Sequence, residues 1–244
     1  MIFLIKTSNT KILRELFHRI SQHSSKISIQ KEKYKIIISS VDNDEKSFVS
    51  SILKERFFSE WDTSEESLEV ESKNLYNLSK IIPDRSDISL NISEEKIIVT
   101  ILKDYLKEIF ITGKKIKEFF PYKVRSDIEP FFIIKSNTFQ NILKDIDSVT
   151  DEASITLEEA SDKIVFKGKE RQIDFVFRLD QDNVKKFSNS STVKIPIRYL
   201  NYFSPLLKEF NEIEVSISKE NLMIVRGINE RWEFLLMITA IASN

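Results

Sequence analysis

The two halves of this sequence repeat the same patterns in the same order, and this feature limits the fold more than any other. Three pairs of patterns correspond: Ser8–Thr10 with Ser136–Thr138, Lys35–Ile38 with Lys163–Phe166, and Ile88–Ser93 with Ile213–Ser218. Their offset stays between 125 and 128 residues. Because amphipathic helices also fall in corresponding places, the order predicts a duplicated β-α-β(3)-β-α-β(3) unit.

The predicted fold class is therefore α+β, built from two tandem copies of this unit with antiparallel sheets. Apolar residues at helical spacing predict four helices, at Thr10–Gln22, Lys73–Ile82, Ser136–Val149 and Ile197–Glu209. Ser8–Thr10 supplies residues typical of a helix N-cap, and Pro205 predicts that the fourth helix bends or starts late. The predicted domains are residues 1–113 and 130–244, joined by an apolar connector at residues 114–129.

Composition excludes several kinds of site. The chain has 244 residues, a formal net charge of −1, no cysteine and three glycines. It therefore has no disulfide, no thiolate metal site and no glycine-rich phosphate loop. No apolar run approaches the ~18 residues of a membrane span, and the first residues lack the features of a signal peptide. We expect a cytoplasmic location, and any binding of nucleic acid must rest on local placement of charge.

Few residues offer catalytic or metal-binding chemistry. His18 and His23 lie five residues apart without a nearby array of carboxylates, which disfavours a metal site or an acid–base pair. Asp42–Glu45 lacks the glycine and the distal glutamate of a calcium loop, and a plain turn is favoured. Trp61 and Trp232 are interpreted as packing residues. No cofactor and no enzymatic activity are expected.

The arrangement resembles the sliding clamp family of archaea and eukaryotes, the proliferating cell nuclear antigen. The resemblance covers essentially the whole chain and is clearest from Phe131 to Asp180, with further agreement in Glu212–Ser218 and Trp232–Ile238. It implies a processivity factor, expected to be archaeal, whose three subunits close a ring with sheets outside and helices inside. Its location would be at the nucleoid in a prokaryote or nuclear in a eukaryote.

The resemblance also implies that the polar faces of the four helices surround duplex DNA and contact its phosphates without reading bases. The residues implied for DNA contact are Lys11, Arg14, His18, Arg19, Lys73, Asn77, Lys80, Lys144, Arg198 and Asn201. For both histidines, His18 and His23, a solvated or DNA-facing role is therefore favoured. Asp145, Asp147 and Asp151 lie near Lys144, so this lining is less basic than is usual in the family. Two alternatives stay open: a weakly gripping ring, or a subunit that depends on more basic partner subunits.

Ring closure in the family pairs two edge strands of neighbouring subunits, which by position are Tyr105–Thr112 and Gln172–Arg178. Unpaired, both would be apolar edges open to aggregation, and head-to-tail closure into a ring removes them. The implied interface residues are Tyr105, Ile109, Ile111, Ile173, Phe175 and Phe177. Whether the neighbour is an identical chain or another clamp subunit stays open.

In the family the connector borders an apolar pocket that receives short aromatic motifs of polymerases, flap nucleases and ligases, and the ring is loaded by a clamp loader. The implied pocket residues are Val41, Phe48, Phe119, Phe120, Tyr122, Ile128, Ala240 and Ile241. The chain departs from the family in two respects. Its connector is basic, and Ala242-Ser243 replaces the usual Ala-Pro. We therefore expect partners that carry acidic residues beside their aromatic anchors.

Two other functions compete with a ring-forming clamp. A clamp-like subunit of a heterotrimer, specialised for damage signalling or assembly, would not close a ring alone, and the mass of the purified chain discriminates it. An enzyme of the same duplicated architecture would need a convergent cluster of acid, base or metal ligands, and two histidines with no cysteine offer little for one.

Overall fold

The structure, a computed structural model, describes residues 3–5, 9–61, 64–93, 95–116, 132–148, 152–158, 163–170, 173–179, 184–186, 192–218 and 222–240. The chain divides into two compact units. Unit 1 comprises Met1–Tyr122 and Asn229–Phe234, and unit 2 comprises Lys123–Ile228 and Leu235–Asn244. The final strand therefore contributes its first residues to unit 1.

Unit 1 contains two α-helices, nine strands and a short 3-10 helix at Glu55–Phe57 within its described residues. In chain order the α-helices and strands are β1 (Phe3–Ile5), α1 (Thr10–His23), β2 (Lys26–Glu32), β3 (Lys35–Val41), β4 (Ser47–Lys54), β5 (Glu66–Glu71), α2 (Ser72–Ile81), β6 (Asp87–Ile92), β7 (Lys96–Leu102), β8 (Leu106–Thr112) and β9 (Lys114–Lys115). One sheet has the strand order β1-β6-β7-β8, and a second includes β4-β3-β2-β5-β9. All of these neighbours pair antiparallel.

Unit 2 repeats this plan. Its elements are β10 (Phe132–Lys135), α3 (Ser136–Asp147), β11 (Glu152–Glu158), β12 (Lys163–Glu170), β13 (Ile173–Leu179), β14 (Val184–Lys186), β15 (Thr192–Pro196), α4 (Ile197–Leu207), β16 (Glu212–Ile217), β17 (Leu222–Ile228) and β18 (Trp232–Thr239). The order β10-β16-β17-β18 corresponds to β1-β6-β7-β8, and β13-β12-β11-β15 corresponds to β4-β3-β2-β5. The predicted α+β fold of two tandem copies is confirmed. Strands β9 and β14, which pair with β5 and β10, have no counterpart in the other unit among the described strands.

Each unit buries the apolar stripe of its two helices. On α1 the buried stripe includes Leu13, Leu16, Phe17 and Ile20, and α2 lies alongside it. In unit 2, Phe139 of α3 packs within 6.4 Å (ring centroids) of Phe166 on β12. Full burial of one such side chain contributes roughly 1.5–3 kcal/mol, so these stripes hold the helices on the sheets. The helices begin and end within about two residues of their predicted bounds.

The Ser-Asn-Thr pattern does not cap its helices, and that prediction was wrong. Asn9 makes no cap hydrogen bond at the start of α1. Its buried amide instead donates to the Phe57 carbonyl oxygen (2.7 Å) and accepts from Arg231 Nη1 (2.9 Å). The corresponding Asn137 is exposed. Asn9 therefore joins three separated segments of unit 1, a role that local helix propensity does not reveal.

Helix α4 begins at Ile197 and continues through Pro205, so it does not start late. A proline inside a helix removes the N–H that would bond to the carbonyl four residues earlier. That carbonyl belongs to Asn201, and it accepts a hydrogen bond from Ser204 Oγ at 2.9 Å. The hydroxyl of Ser204 thus replaces the missing donor.

Both tryptophans pack as predicted. Trp232 is completely buried, and its ring lies 6.3 Å from that of Phe234. Trp61 is half-buried, packs at 4.9 Å against Phe58, and donates its indole N–H to the Lys33 carbonyl oxygen at 2.6 Å.

Candidate functional site

The predicted DNA-contact residues of α1 differ in the charge that they leave available. Arg14 Nη1 lies 2.7 Å from Asp84 Oδ1, and Arg19 Nε lies 2.7 Å from Glu15 Oε1. Lys11 is exposed and forms no ion pair within the described part of the chain. The two carboxylates offset the charges of the arginines, so the positive field of α1 is smaller than its basic residues suggest.

Helix α2 presents Lys73, Asn77 and Lys80 to solvent. The Nζ atom of Lys80 lies 3.9 Å from the centroid of the Tyr76 ring, a cation–π contact. The same ring stacks on the imidazole of His18 from α1, with centroids 5.4 Å apart and planes at 29°. The structure therefore brings two predicted contact residues together around Tyr76, which the sequence prediction omitted. The i, i+4 spacing of Tyr76 and Lys80 was the available signal.

The helices of unit 2 are less basic, as the sequence indicated. Lys144 is exposed next to the exposed Asp145 and near Asp147, while Asp151 lies outside the described residues. Arg198 is exposed and stays close to Tyr199, with its Nη2 atom 3.0 Å from the phenol oxygen. Asn201 is half-buried, and its amide nitrogen is buried without a hydrogen-bond partner among the described residues.

His23 lies in the core of unit 1, and the prediction of a solvated or DNA-facing role for it was wrong. Its Nδ1 and Nε2 atoms are each 2.7 Å from a serine hydroxyl, those of Ser40 and Ser47. Burial lowers the pKa of His23 from 6.5 to about 4, although the nearby Asp42 carboxylate acts in the opposite direction. His23 follows Leu16 and Ile20 on the buried stripe of α1, a spacing that could have revealed this position. His18, by contrast, is half-exposed.

Asp42 forms the plain turn that was predicted between β3 and β4. Its Oδ1 atom accepts a hydrogen bond from the Ser47 N–H at 2.7 Å, and its carbonyl oxygen accepts from the Glu45 N–H at 3.0 Å. Glu45 adopts a positive φ of 55°, as tight turns often require. Across the described ranges, no three carboxylates or histidines converge as a metal site would need.

Only part of the predicted pocket falls within the described residues. Val41 and Phe48 are directly opposite each other on β3 and β4, half-buried and 7% exposed respectively. Ser40 and Ser47, which bond to His23, immediately precede them. Ala240 is half-buried after β18. The remaining predicted pocket residues, Phe119, Phe120, Tyr122, Ile128 and Ile241, lie outside the described residues.

Strand β8 is one edge of a unit 1 sheet and is paired only with β7 among the described strands. Tyr105 precedes it and is 68% exposed, Ile109 is half-buried, and Ile111 is only 4% exposed. Leu106 and Phe110, on the opposite face of the strand, are 64% and 62% exposed. Because strand side chains alternate between faces, Leu106 and Phe110 offer apolar surface that the predicted interface list missed, while Ile111 can contribute only its backbone.

Strand β13 is an edge strand in unit 2, where it corresponds to β4 of unit 1, and within the described residues it pairs only with β12. The remaining predicted interface residues lie in this strand, where Ile173, Phe175 and Phe177 are opposite Glu170, Gly168 and Phe166 of β12. Among the described strands, the two predicted interface strands β8 and β13 are thus both sheet edges, as are β1, β9, β14 and β15. Unpaired edges readily accept a further strand.

Comparison with known proteins supports the fold. The sequence matches no protein-family model and no curated protein. The structure is similar to the PCNA2–PCNA3 complex from Sulfolobus tokodaii, with a TM-score of 0.83, 14% sequence identity and 100% coverage of both chains. It is also similar to proliferating cellular nuclear antigen from Entamoeba histolytica, with a TM-score of 0.80, 13% identity, and coverage of 98% of this chain and 99% of the other. The predicted sliding-clamp fold is confirmed, and identities this low establish the fold alone.

No helix in the described residues is both long and apolar enough to cross a membrane.

Proposed function

From the sliding-clamp fold of this chain, we propose that it is a subunit of a ring that encircles duplex DNA and tethers replication and repair enzymes. The observation that carries this proposal is the full-length match to solved PCNA chains, at TM-scores of 0.83 and 0.80. The subunit has no catalysis of its own in this proposal. Topological enclosure replaces tight binding, so a net charge of −1 is compatible with the function.

Two features of the described residues support a ring. The first is that the two predicted interface strands, β8 and β13, are both sheet edges, which a head-to-tail neighbour would cover. The second is the set of lysines on the helices, Lys11, Lys73, Lys80 and Lys144, which are exposed and free of ion pairs within the described residues. Exposed lysines of this kind bind phosphates without sequence preference.

Encirclement can be tested without a loading enzyme. One end of a linear duplex is fixed to a bead, the protein is added, and the free end is then closed with a bulky biotin–streptavidin block. A ring that has threaded onto the duplex resists washing until a restriction enzyme cuts the DNA. If a protein that is trimeric in solution washes off open and blocked duplexes equally fast, the proposal is contradicted.

The alternative is a subunit that closes a ring only with different clamp chains. It is favoured by one observation, the similarity to a complex of two differently named chains, PCNA2 and PCNA3. Size-exclusion chromatography with light scattering distinguishes the two. A stable trimer supports a ring of identical chains, and a monomer or dimer supports the heterotrimer, in which the end-blocking experiment requires the partner chains.

We also propose that the basic connector selects partners with acidic residues beside their aromatic anchors. Lys114 and Lys115 begin the connector and are exposed, and Lys117 follows outside the described residues. Reversal of all three lysines to glutamate should weaken the binding of an acidic aromatic peptide and leave a neutral aromatic peptide unaffected. Unchanged affinity for the acidic peptide would show that the connector charge does not contribute.

A further inference from the structure

We propose that Tyr76 is a positioning residue of the DNA-facing surface, and that its ring holds the Lys80 ammonium where it meets a backbone phosphate of the encircled duplex. This inference rests on the proposed function, because it assigns a role to Tyr76 within the same surface. It concerns a residue that is itself uncharged and was absent from the predicted contact set.

The geometry places the Tyr76 ring between two helices. Tyr76 and Lys80 are one turn apart on α2, and Lys80 Nζ lies 3.9 Å from the ring centroid. His18 of α1 stacks on the same ring at 5.4 Å. Tyr76 is half-buried, whereas Lys80 is exposed. The ring is thus supported from α1 and presents the cation at the solvent side.

The charges around this cluster explain why Lys80 matters. Arg14 and Arg19 on the neighbouring helix each lie 2.7 Å from a carboxylate, so each already has an anionic partner. Lys80 has no ion pair within the described residues and can accept a phosphate as its partner. A free lysine side chain would lose rotamer entropy on binding, and a contact that restricts it beforehand reduces that cost.

The ligand chemistry that this cluster fits is a phosphodiester backbone. The cluster offers an ammonium group, which binds an anion as a point charge without reading bases. Since the ring already contacts His18 and Lys80, we assign its role to holding the cation and not to stacking on a base.

Lys73 provides a matched control. It is exposed on the same helix, three residues before Tyr76, and makes neither an ion pair nor a ring contact among the described residues. Removing the charge of Lys73 should weaken DNA binding by the same factor whether or not the Tyr76 ring is present. Removing the charge of Lys80 should weaken binding less when the Tyr76 ring is absent.

The test is a pair of double-mutant cycles on the full chain, with affinity for a short duplex measured by fluorescence anisotropy over a series of salt concentrations. Lys80→Gln should weaken binding and lower the slope of log affinity against log salt by about 0.9. Tyr76→Leu should weaken binding several-fold although Lys80 keeps its charge. Tyr76→Phe, which retains the ring, should bind like the wild type.

The cycles separate positioning from a general structural effect. If Tyr76 acts through Lys80, Tyr76→Leu should cause little further loss of affinity in a chain that already carries Lys80→Gln. In a chain that carries Lys73→Gln, it should cause the same loss as in the wild type. Equal additivity in both cycles, or wild-type binding by Tyr76→Leu, overturns the inference. Urea denaturation of each variant checks that unit 1 remains folded. If Tyr76→Leu does not fold, the Tyr76→Met variant, which also lacks a ring, repeats the cycle. If the wild-type protein does not bind the duplex even at low salt, the Lys80 ammonium meets no phosphate and the inference fails, whereas the proposed function is tested separately by the end-blocking experiment.

Discussion

Protonation of His23 should destabilise unit 1 at mildly acid pH. The imidazole is buried between the hydroxyls of Ser40 and Ser47, each 2.7 Å away, and burial lowers its pKa from 6.5 to about 4. The unfolded chain therefore takes up a proton at a higher pH than the folded chain. The stability that neutral His23 contributes is fully present above pH 6.5 and is lost as the pH falls from 6.5 toward about 4.

The size of the effect follows from the two pKa values. Between about pH 7 and about pH 5, the unfolded state becomes almost fully protonated at this position while the folded state stays mostly neutral. The linkage relation then gives a loss of about 2 kcal/mol in the free energy of unfolding from His23 alone. This is a large part of the total for an ordinary domain, about 5–15 kcal/mol.

Tryptophan fluorescence is a suitable assay, because the only two tryptophans, Trp61 and Trp232, both belong to unit 1. Urea denaturation of the wild type and of His23→Gln would be compared at the two pH values. The glutamine variant is expected to be less stable at neutral pH, but its further loss at acid pH should be smaller by about 2 kcal/mol. If both proteins lose the same amount, other groups cause the acid sensitivity and the reasoning about His23 is refuted.

Three further predictions test packing and association. Asn9→Ala should cost about 1–3 kcal/mol of unfolding free energy in urea, because the buried Phe57 carbonyl and the part-buried Arg231 guanidinium lose their hydrogen bonds. Asn137→Ala at the exposed equivalent position should cost less than about 0.5 kcal/mol, and equal costs would refute the assigned role of Asn9. Gly227→Ala should lower the urea midpoint of unit 2 measured by circular dichroism, because the new Cβ would lie 2.4 Å from Phe210 Cδ2 and overpacking of this kind costs about 1–3 kcal/mol. An unchanged midpoint would mean that the Phe210 ring moves aside freely. Phe110→Asp should shift the mass measured by light scattering toward the monomer, because it places a charge on the exposed edge of β8, and an unchanged assembly would show that this edge is not the subunit contact.

The local pattern of apolar residues was sufficient to predict the helices and strands and their order along the chain. The stripe of Leu13, Leu16, Phe17 and Ile20 has helical spacing, so α1 could be predicted as Thr10–Gln22 and is found at Thr10–His23. The repeat then extended this reading to the second half of the chain. Both inferences succeed because hydrophobic periodicity is a property of consecutive residues.

The charged surface was less predictable, since the field of a basic residue depends on its partners in space. Arg14 was predicted as a DNA contact from its helix face, but it pairs with Asp84, which lies beyond the end of α2. Tyr76 was overlooked because its role depends on His18 from another helix. Neither relation is visible in the order of residues along one element.

The sequence by itself determined the duplicated α+β architecture and the four helices, since these follow from local periodicity and its recurrence. Only the tertiary structure decided the roles of polar residues that repeat or resemble each other. Asn9 is buried and bonded to Phe57 and Arg231, whereas Asn137 in the same pattern is exposed. His23 is buried and His18 is not. The physical reason is that burial and hydrogen-bond partners come from segments distant in the chain, which local sequence does not specify.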